Sequence, residues 1–190
     1  EFTQIDIEMS FIDQNDIISM ATELSRKILK KVINIDLPNE FPKLTYNDAM
    51  EQYGSDKPDI RFDMKLKEMD IFIEKSDFNA FKSVVKDGGR VKGIICPNAK
   101  NYSRKVIDEL TVLMKEYYGA KGLAWMKCKN SKLEGGISKF FSEETLNLII
   151  ENMKVNEGDI IFMIGDDQSI VWQALGALRL ELGKRENLID

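Results

Sequence analysis

From about residue 70 onward the chain alternates apolar strand-like runs with capped amphipathic helices, and this alternation constrains the fold more than any other feature. RVKGIIC (residues 90–96), GLAWMKC (122–128) and IIFMIG (160–165) are short, largely apolar runs of the kind that form buried strands. Ser103 is placed to cap a helix to about Tyr118, with Val106, Ile107, Leu110, Leu113, Met114 and Tyr117 on its buried side, and Gly119 stops it. Asp77 is expected to cap a helix through Val85, with DGG at 87–89 as a turn. Ser142 opens a further helix to about Met153, and the last one runs from near Gln168 to Leu182. NSKLEGG reads as a loop and NEGD as a turn. Strands separated by helices fit a two-layer α+β or α/β unit of roughly a hundred residues.

The upstream third is different in texture. Asp13 is placed to cap a helix over residues 14–32, where Ile17, Met20, Ala21, Leu24, Ile28 and Val32 recur at three- and four-residue steps, the pattern of a packed amphipathic helix. A linker marked by proline, IDLPNEFPKL, precedes Thr45, which with Asp48 begins a short helix through Gln52 that ends at Gly54. GSDKPDIRF then packs Asp56, Lys57, Asp59 and Arg61 around Pro58; it reads either as a surface turn or as a functional loop. The chain itself opens on EFTQIDIEMSF, a strand pattern with two rows. Thr3, Ile5, Ile7, Met9 and Phe11 suit a buried face, while Phe2, Gln4, Asp6, Glu8 and Ser10 form the other. Carboxylates two residues apart on a strand lie about 6.5 to 7 Å apart and repel unless water or cations sit beside them. The polar row is therefore either a solvent-facing edge or the floor of a pocket for a cationic group.

Composition excludes several classes of chemistry. The chain has no histidine, so Ser-His-Asp and Cys-His mechanisms are excluded within it. Its two cysteines, Cys96 and Cys128, are read as buried thiols of a reducing compartment, and no metal site is expected. No apolar run approaches the about 20 residues that span a bilayer, and no signal-peptide pattern opens the chain, so no membrane contact and a cytoplasmic location are expected. The formal net charge is -5, but it is unevenly spread. Residues 81–132 hold twelve Lys or Arg against four Asp or Glu, and residues 133–190 five against eleven. A basic middle in an acidic chain points either to phosphate contacts or to solvated helix faces.

Three stretches, taken in order, carry a resemblance. EFTQIDIEMSF resembles the second half of class II aminoacyl-tRNA synthetase motif 2 as it stands in aspartyl-tRNA synthetases of class IIb. FPKLTYNDAMEQYGSDKPDIRF resembles the segment that follows it in the bacterial-type enzymes. SRKVIDEL and YGAKGLAW resemble the GAD domain inserted between motifs 2 and 3. The resemblance implies an α+β chain: a two-layer, DCoH-like GAD insertion domain over residues 73–178, flanked by pieces of the antiparallel class II catalytic domain over 1–72 and 179–190. It implies an internal fragment of an aspartate-tRNA ligase, which activates L-aspartate with ATP and Mg2+ and transfers it to tRNA(Asp). The full-length enzyme is implied to be a homodimer.

The same resemblance assigns roles to the polar row. Phe2 matches the aromatic residue that stacks on adenine, and Gln4 and Asp6 match residues of the aspartate pocket. Glu8 is placed beside them, holding a cationic side chain in position. The motif 2 arginine and motif 3 are expected to lie outside the chain, so no catalytic residue, cofactor or turnover is expected of the fragment alone. An alternative is that the GAD domain is a tRNA-binding or spacer module without catalysis. For tRNA contact the chosen residues are Lys92, Lys100, Arg104 and Lys105, a strand end and helix start read as lying near one another. A small-molecule sensor of ferredoxin-like type would explain the strands and helices but neither the opening stretch nor GSDKPDIRF.

Overall fold

The computed structural model describes residues 1–99 and 102–189 and divides into two compact units, Glu1–Lys43 and Leu44–Asp190. In the first unit, α1 (Gln14–Ile33) starts at a reciprocal cap. Asp13 accepts from the backbone N–H groups of Asn15 and Asp16, and the Asp16 carboxylate accepts from that of Asp13. Contrary to the packed helix expected, no residue of α1 is buried. The opening strand is absent as well: residues 1–12 lie outside any helix or strand. A strand needs its N–H and C=O groups paired, and no described segment pairs with this one. Ile5, Ile7 and Met9, expected on a buried face, are exposed.

The second unit begins with α2 (Tyr46–Tyr53), capped by Thr45 and closed by Gly54 in the left-handed conformation. There follow β1 (Lys67–Glu68), α3 (Asp70–Ile73), α4 (Asn79–Lys86), β2 (Arg90–Cys96), α5 (Arg104–Tyr118), β3 (Ala124–Lys129) and β4 (Lys132–Glu134). A 3-10 turn over Ser138–Phe140 leads to α6 (Glu143–Met153), β5 (Ile160–Asp166) and α7 (Gln168–Arg185). The strands form one sheet in the order β1-β2-β5-β3-β4, with every neighbouring pair antiparallel. The architecture is thus α+β.

The central strand explains its own sequence. β5 pairs with β2 from Arg90↔Asp166 to Cys96↔Ile160 and with β3 from Ala124↔Met163 to Lys127↔Ile160. Its side chains alternate between two cores. Ile160, Phe162 and Ile164 join Ile94, Cys96, Ile107, Leu110, Leu175 and Leu178 on the face of α5 and α7. Ile161 and Met163 join Val91, Met126, Phe72, Phe81 and Ile149 on the face of α3, α4 and α6. A strand covered on both faces reads as a continuous apolar run. Helices therefore cover both faces of this sheet, where two layers were expected.

Residues 44–69 are built into this unit rather than appended to it. Phe62, Met64 and Leu66 enter one core, Met69 the other. The guanidinium of Arg179, on α7 and 1% exposed, donates to the carbonyls of Phe62 (2.6 Å), Asp63 (2.9 Å) and Met64 (3.1 Å). It also lies against the rings of Phe62 and Tyr53, 3.9 and 5.0 Å from their centroids. The GSDKPDIRF stretch is irregular as expected, but its last residue, Phe62, is a core residue.

Other local differences have local causes. α4 starts after Phe78 without a side-chain cap; Ser76, not Asp77, accepts from the Phe78 N–H. Tyr117, expected on the buried side of α5, is 74% exposed, whereas Met114 one turn earlier is buried. NSKLEGG is not all loop: Lys132, Leu133 and Glu134 form β4 against β3, with Leu133 buried.

Candidate functional site

The four residues of the opening polar row given a role, Phe2, Gln4, Asp6 and Glu8, all lie exposed in the irregular segment before α1. Phe2 is 83% exposed and stacks on no ring among the described residues. The first unit has a cavity of about 740 Å3 between one face of α1, including Ser19, Glu23 and Arg26, and residues 39–43. The polar row does not line it.

Of the residues chosen for RNA contact, Lys92 does not share a surface with Arg104 and Lys105. Lys92 sits inside β2, 3% exposed, with its ammonium on the Glu51 carboxylate and, at 2.8 Å, on the Glu51 carbonyl. That corrects its assignment: a buried, fully engaged lysine is not available to phosphate. Lys100 lies outside the described residues. Arg104 and Lys105 are exposed at the start of α5, where the Ser103 hydroxyl accepts from the Val106 N–H. Arg104 is already held by Asp108 at 2.9 Å, one turn along.

With Lys92 and Arg104, six cations of the basic stretch are matched by a carboxylate among the described residues. Arg90 pairs with Glu51 and Glu68, Lys121 with Asp166, Lys129 with Glu134 and Lys132 with Glu143. Lys127 donates to the Tyr102 carbonyl. A positive balance counted along the sequence is thus offset in part by acids brought near by the fold, several of them from outside the stretch.

Glu51 is the hub of the most buried of these clusters. Burial disfavours its charged form, yet the hydrogen bonds and charges of Lys92 and Arg90 outweigh that and hold its carboxyl below the usual range. Gln168 reaches the same carboxylate at 3.3 Å. Next to it, Asp70 accepts from the Val91 N–H at 2.6 Å, but burial and the nearby Glu68 raise its carboxyl above the usual range. In the loop after α2, Arg61 grips Asp59 through Nε at 3.0 Å and Nη2 at 2.7 Å, pulling the Asp59 carboxyl down to about 2. These are structural ion pairs; sequence spacing could suggest only the Asp59 and Arg61 pair, because Glu51 and Lys92 are 41 positions apart.

Both cysteines are buried free thiols, Cys96 in β2 and Cys128 in β3. Burial pushes the Cys96 thiol up to about 12, so it is no nucleophile near neutral pH. Among the described residues, no three Cys, Asp or Glu side chains gather as a metal would require, and no helix is long and apolar enough to cross a membrane.

Comparison with known proteins covers the whole chain. The GAD domain family matches residues 81–175. An aspartate-tRNA ligase of Halalkalibacterium halodurans is 48% identical over 191 residues, covering 100% of this chain and 32% of that protein. An aspartate-tRNA(Asp/Asn) ligase of Bacillus cytotoxicus is 47% identical and one of Caldanaerobacter subterraneus 42%, again with 100% of this chain and 32% of theirs covered. The chain spans about a third of the length of the curated relatives it matches. With half of its residues inside the family's match, the chain belongs to the GAD domain family, in a form similar from end to end to bacterial aspartate-tRNA ligases.

Proposed function

We propose that this chain is an internal segment of a bacterial-type aspartate-tRNA ligase, the enzyme that joins L-aspartate to ATP as an adenylate and then transfers it to tRNA. The observation that carries this reading is end-to-end similarity: 42% to 48% identity across the whole chain to proteins of that name, not to the GAD domain alone. In this reading residues 73–178 are the GAD insertion, and 1–72 and 179–190 belong to the antiparallel catalytic domain of a cytoplasmic homodimer. Phe2 stacks on adenine, Gln4 and Asp6 face the aspartate, and Glu8 steadies a cationic neighbour. ATP and Mg2+ are partners of the whole enzyme. Carboxylates among the described residues do not gather as a metal-binding set, so no step is assigned to a metal held by this chain. Arg104 and Lys105 remain candidates for contact with tRNA. The relatives carry both the Asp and the Asp/Asn names, so charging of tRNA(Asn) as well as tRNA(Asp) is within the reading.

The test uses the enzyme at the full length of its relatives. Asp6→Asn keeps the size of the side chain and deletes its charge, which costs about 1.5 to 3 kcal/mol for a charged hydrogen bond. Aspartate-dependent ATP-pyrophosphate exchange should show a raised KM for aspartate of roughly tenfold or more with the KM for ATP little changed. Unchanged aspartate kinetics would remove Asp6 from the pocket.

The narrower reading, a GAD module that binds RNA or spaces two domains without catalysis, is favoured by one observation: Leu44–Asp190 is a compact unit with a core on each face of its sheet.

A further inference from the structure

Beside the β1 edge of the sheet lies a groove of about 560 Å3, between the chain of residues 61–67 and the end of α6. Its floor is apolar, with Met64, Ile95 and Met153. Its rim is cationic: Lys65 and Lys67 from the edge segment and Lys154 from the residue that ends α6. All three lysines are exposed, and none enters an ion pair among the described residues. In the basic stretch of residues 81–132, Arg90, Lys92, Arg104, Lys121, Lys129 and Lys132 are each matched by a carboxylate, while Lys82, Lys86, Lys105 and Lys115 are exposed and in no ion pair among the described residues; what the groove adds is three such lysines around one partly apolar depression.

The acids of the groove cancel this charge only in part. Asp159 is 3% exposed, and its oxygens accept from the N–H groups of Asn98 (3.1 Å) and Asn156 (2.8 Å), neutral donors that fix its position and leave its negative charge in place. Asp63 is exposed and offsets one lysine. Arg61 is committed to Asp59. With Arg61 matched by Asp59, three lysines against Asp63 and Asp159 leave the groove a balance of one positive charge, carried on flexible ammonium groups at its rim.

We infer that this groove is a contact surface for the phosphate backbone of an RNA strand, with Lys65, Lys67 and Lys154 meeting phosphates and the apolar floor lying under the strand. Charge complementarity selects a polyanion. The inference rests on the ligase reading for the choice of RNA as that polyanion. Lysine ammonium groups act as point charges, so the contact is insensitive to base sequence and carried by counterion release. It is a second surface beside the candidates at the start of α5, and it lies on the opposite side of β2 from β5, the side of β1.

Fluorescence anisotropy of a labelled tRNA(Asp) transcript, titrated with the 190-residue chain over a series of salt concentrations, tests this. The unsubstituted chain should bind at low salt with affinity falling linearly on a log-log plot. Lys65→Glu, Lys67→Glu and Lys154→Glu together should weaken binding at least tenfold and flatten the slope by about two to three units, about one for each phosphate left without its lysine. The neutral Lys→Gln triple should shift both in the same direction by less. A charge-matched control at the exposed Lys82, Lys86 and Lys115 should leave the slope close to that of the unsubstituted chain. The inference is overturned if the unsubstituted chain does not bind at low salt, if the control triple weakens binding as much as the groove triple, or if an acidic peptide displaces the RNA at equal charge concentration. Pyrophosphate exchange needs no tRNA, so its absence from the full-length enzyme would fault the ligase reading while leaving a measured groove interaction intact.

Discussion

Lys92 shows how a residue read correctly as a lysine on a strand can still be misread in role. Sequence gives its charge and its β2 position, but its partner, Glu51, comes from α2, a helix that packs against α7 and stands 41 positions earlier in the chain. Removing Glu51 would leave a buried ammonium without a counter-charge, an arrangement that costs about 3 to 5 kcal/mol when the partner of a buried pair is deleted. The Glu51 side chain is 23% exposed, so Glu51→Gln should fall near the lower end, about 2 to 3 kcal/mol. The sign of its pH dependence follows from its depressed carboxyl pKa. Such a group stabilises the fold fully above its unfolded-state pKa and stops doing so as pH falls through the lower folded-state value. Chemical denaturation of the chain and of Glu51→Gln from neutral to acid pH should therefore show the gap between them closing below the ordinary carboxylate range. A gap constant with pH would mean that the charge of Glu51 is not what holds α2.

At the scale of elements, the sequence was legible wherever the signal is local. The caps at Asp13, Thr45, Ser103 and Ser142 and the stops at Gly54 and Gly119 all lie where hydroxyl, carboxylate or glycine chemistry puts them. IIFMIG was legible because a strand covered on both faces needs no alternation. What the sequence hid depended on distant partners. Lys132–Glu134 is a strand because β3 turns back to meet it, and residues 1–12 form none because no described segment offers a ladder. Gly176 also carries a non-local constraint. A Cβ there would lie 2.6 Å from the Gly54 carbonyl oxygen, and one on Gly54, at φ +67°, would lie 2.2 Å from the Trp172 carbonyl oxygen. α2 and α7 thus meet backbone to backbone, with no side chain to yield. Gly176→Ala should push α2 off α7 and cost about 1 to 3 kcal/mol, despite alanine's better helix propensity. A thermal melt that rises in that variant would contradict the close approach.

Across the whole molecule, the second unit is larger than the span that matches the GAD family. The match ends inside α7, before Leu178, Arg179 and Leu182, and begins after Phe62, Met64, Leu66, Met69, Phe72 and Ile73. The apolar ones are divided between the two cores, and Arg179 binds the carbonyls of residues 62–64. A chain of residues 44–189 should accordingly unfold in one cooperative transition, whereas residues 81–175 alone should show no cooperative melt by circular dichroism. Equal cooperativity would mean that the clamp of Arg179 on residues 62–64 is dispensable. The opening polar row is the converse case. Its roles were legible only through resemblance, since nothing in its spacing names adenine or aspartate, and its residues stand in solvent.

The measurement that bears most directly on the ligase reading compares two proteins in one assay of tRNA aspartylation and aspartate-dependent pyrophosphate exchange. One is this 190-residue chain; the other is the enzyme at the full length of its relatives with this chain in its natural place. The reading predicts aspartyl-tRNA from the longer protein and no turnover above buffer from the chain alone. A longer protein that activates another amino acid and not aspartate, or a chain that turns over unaided, would contradict it.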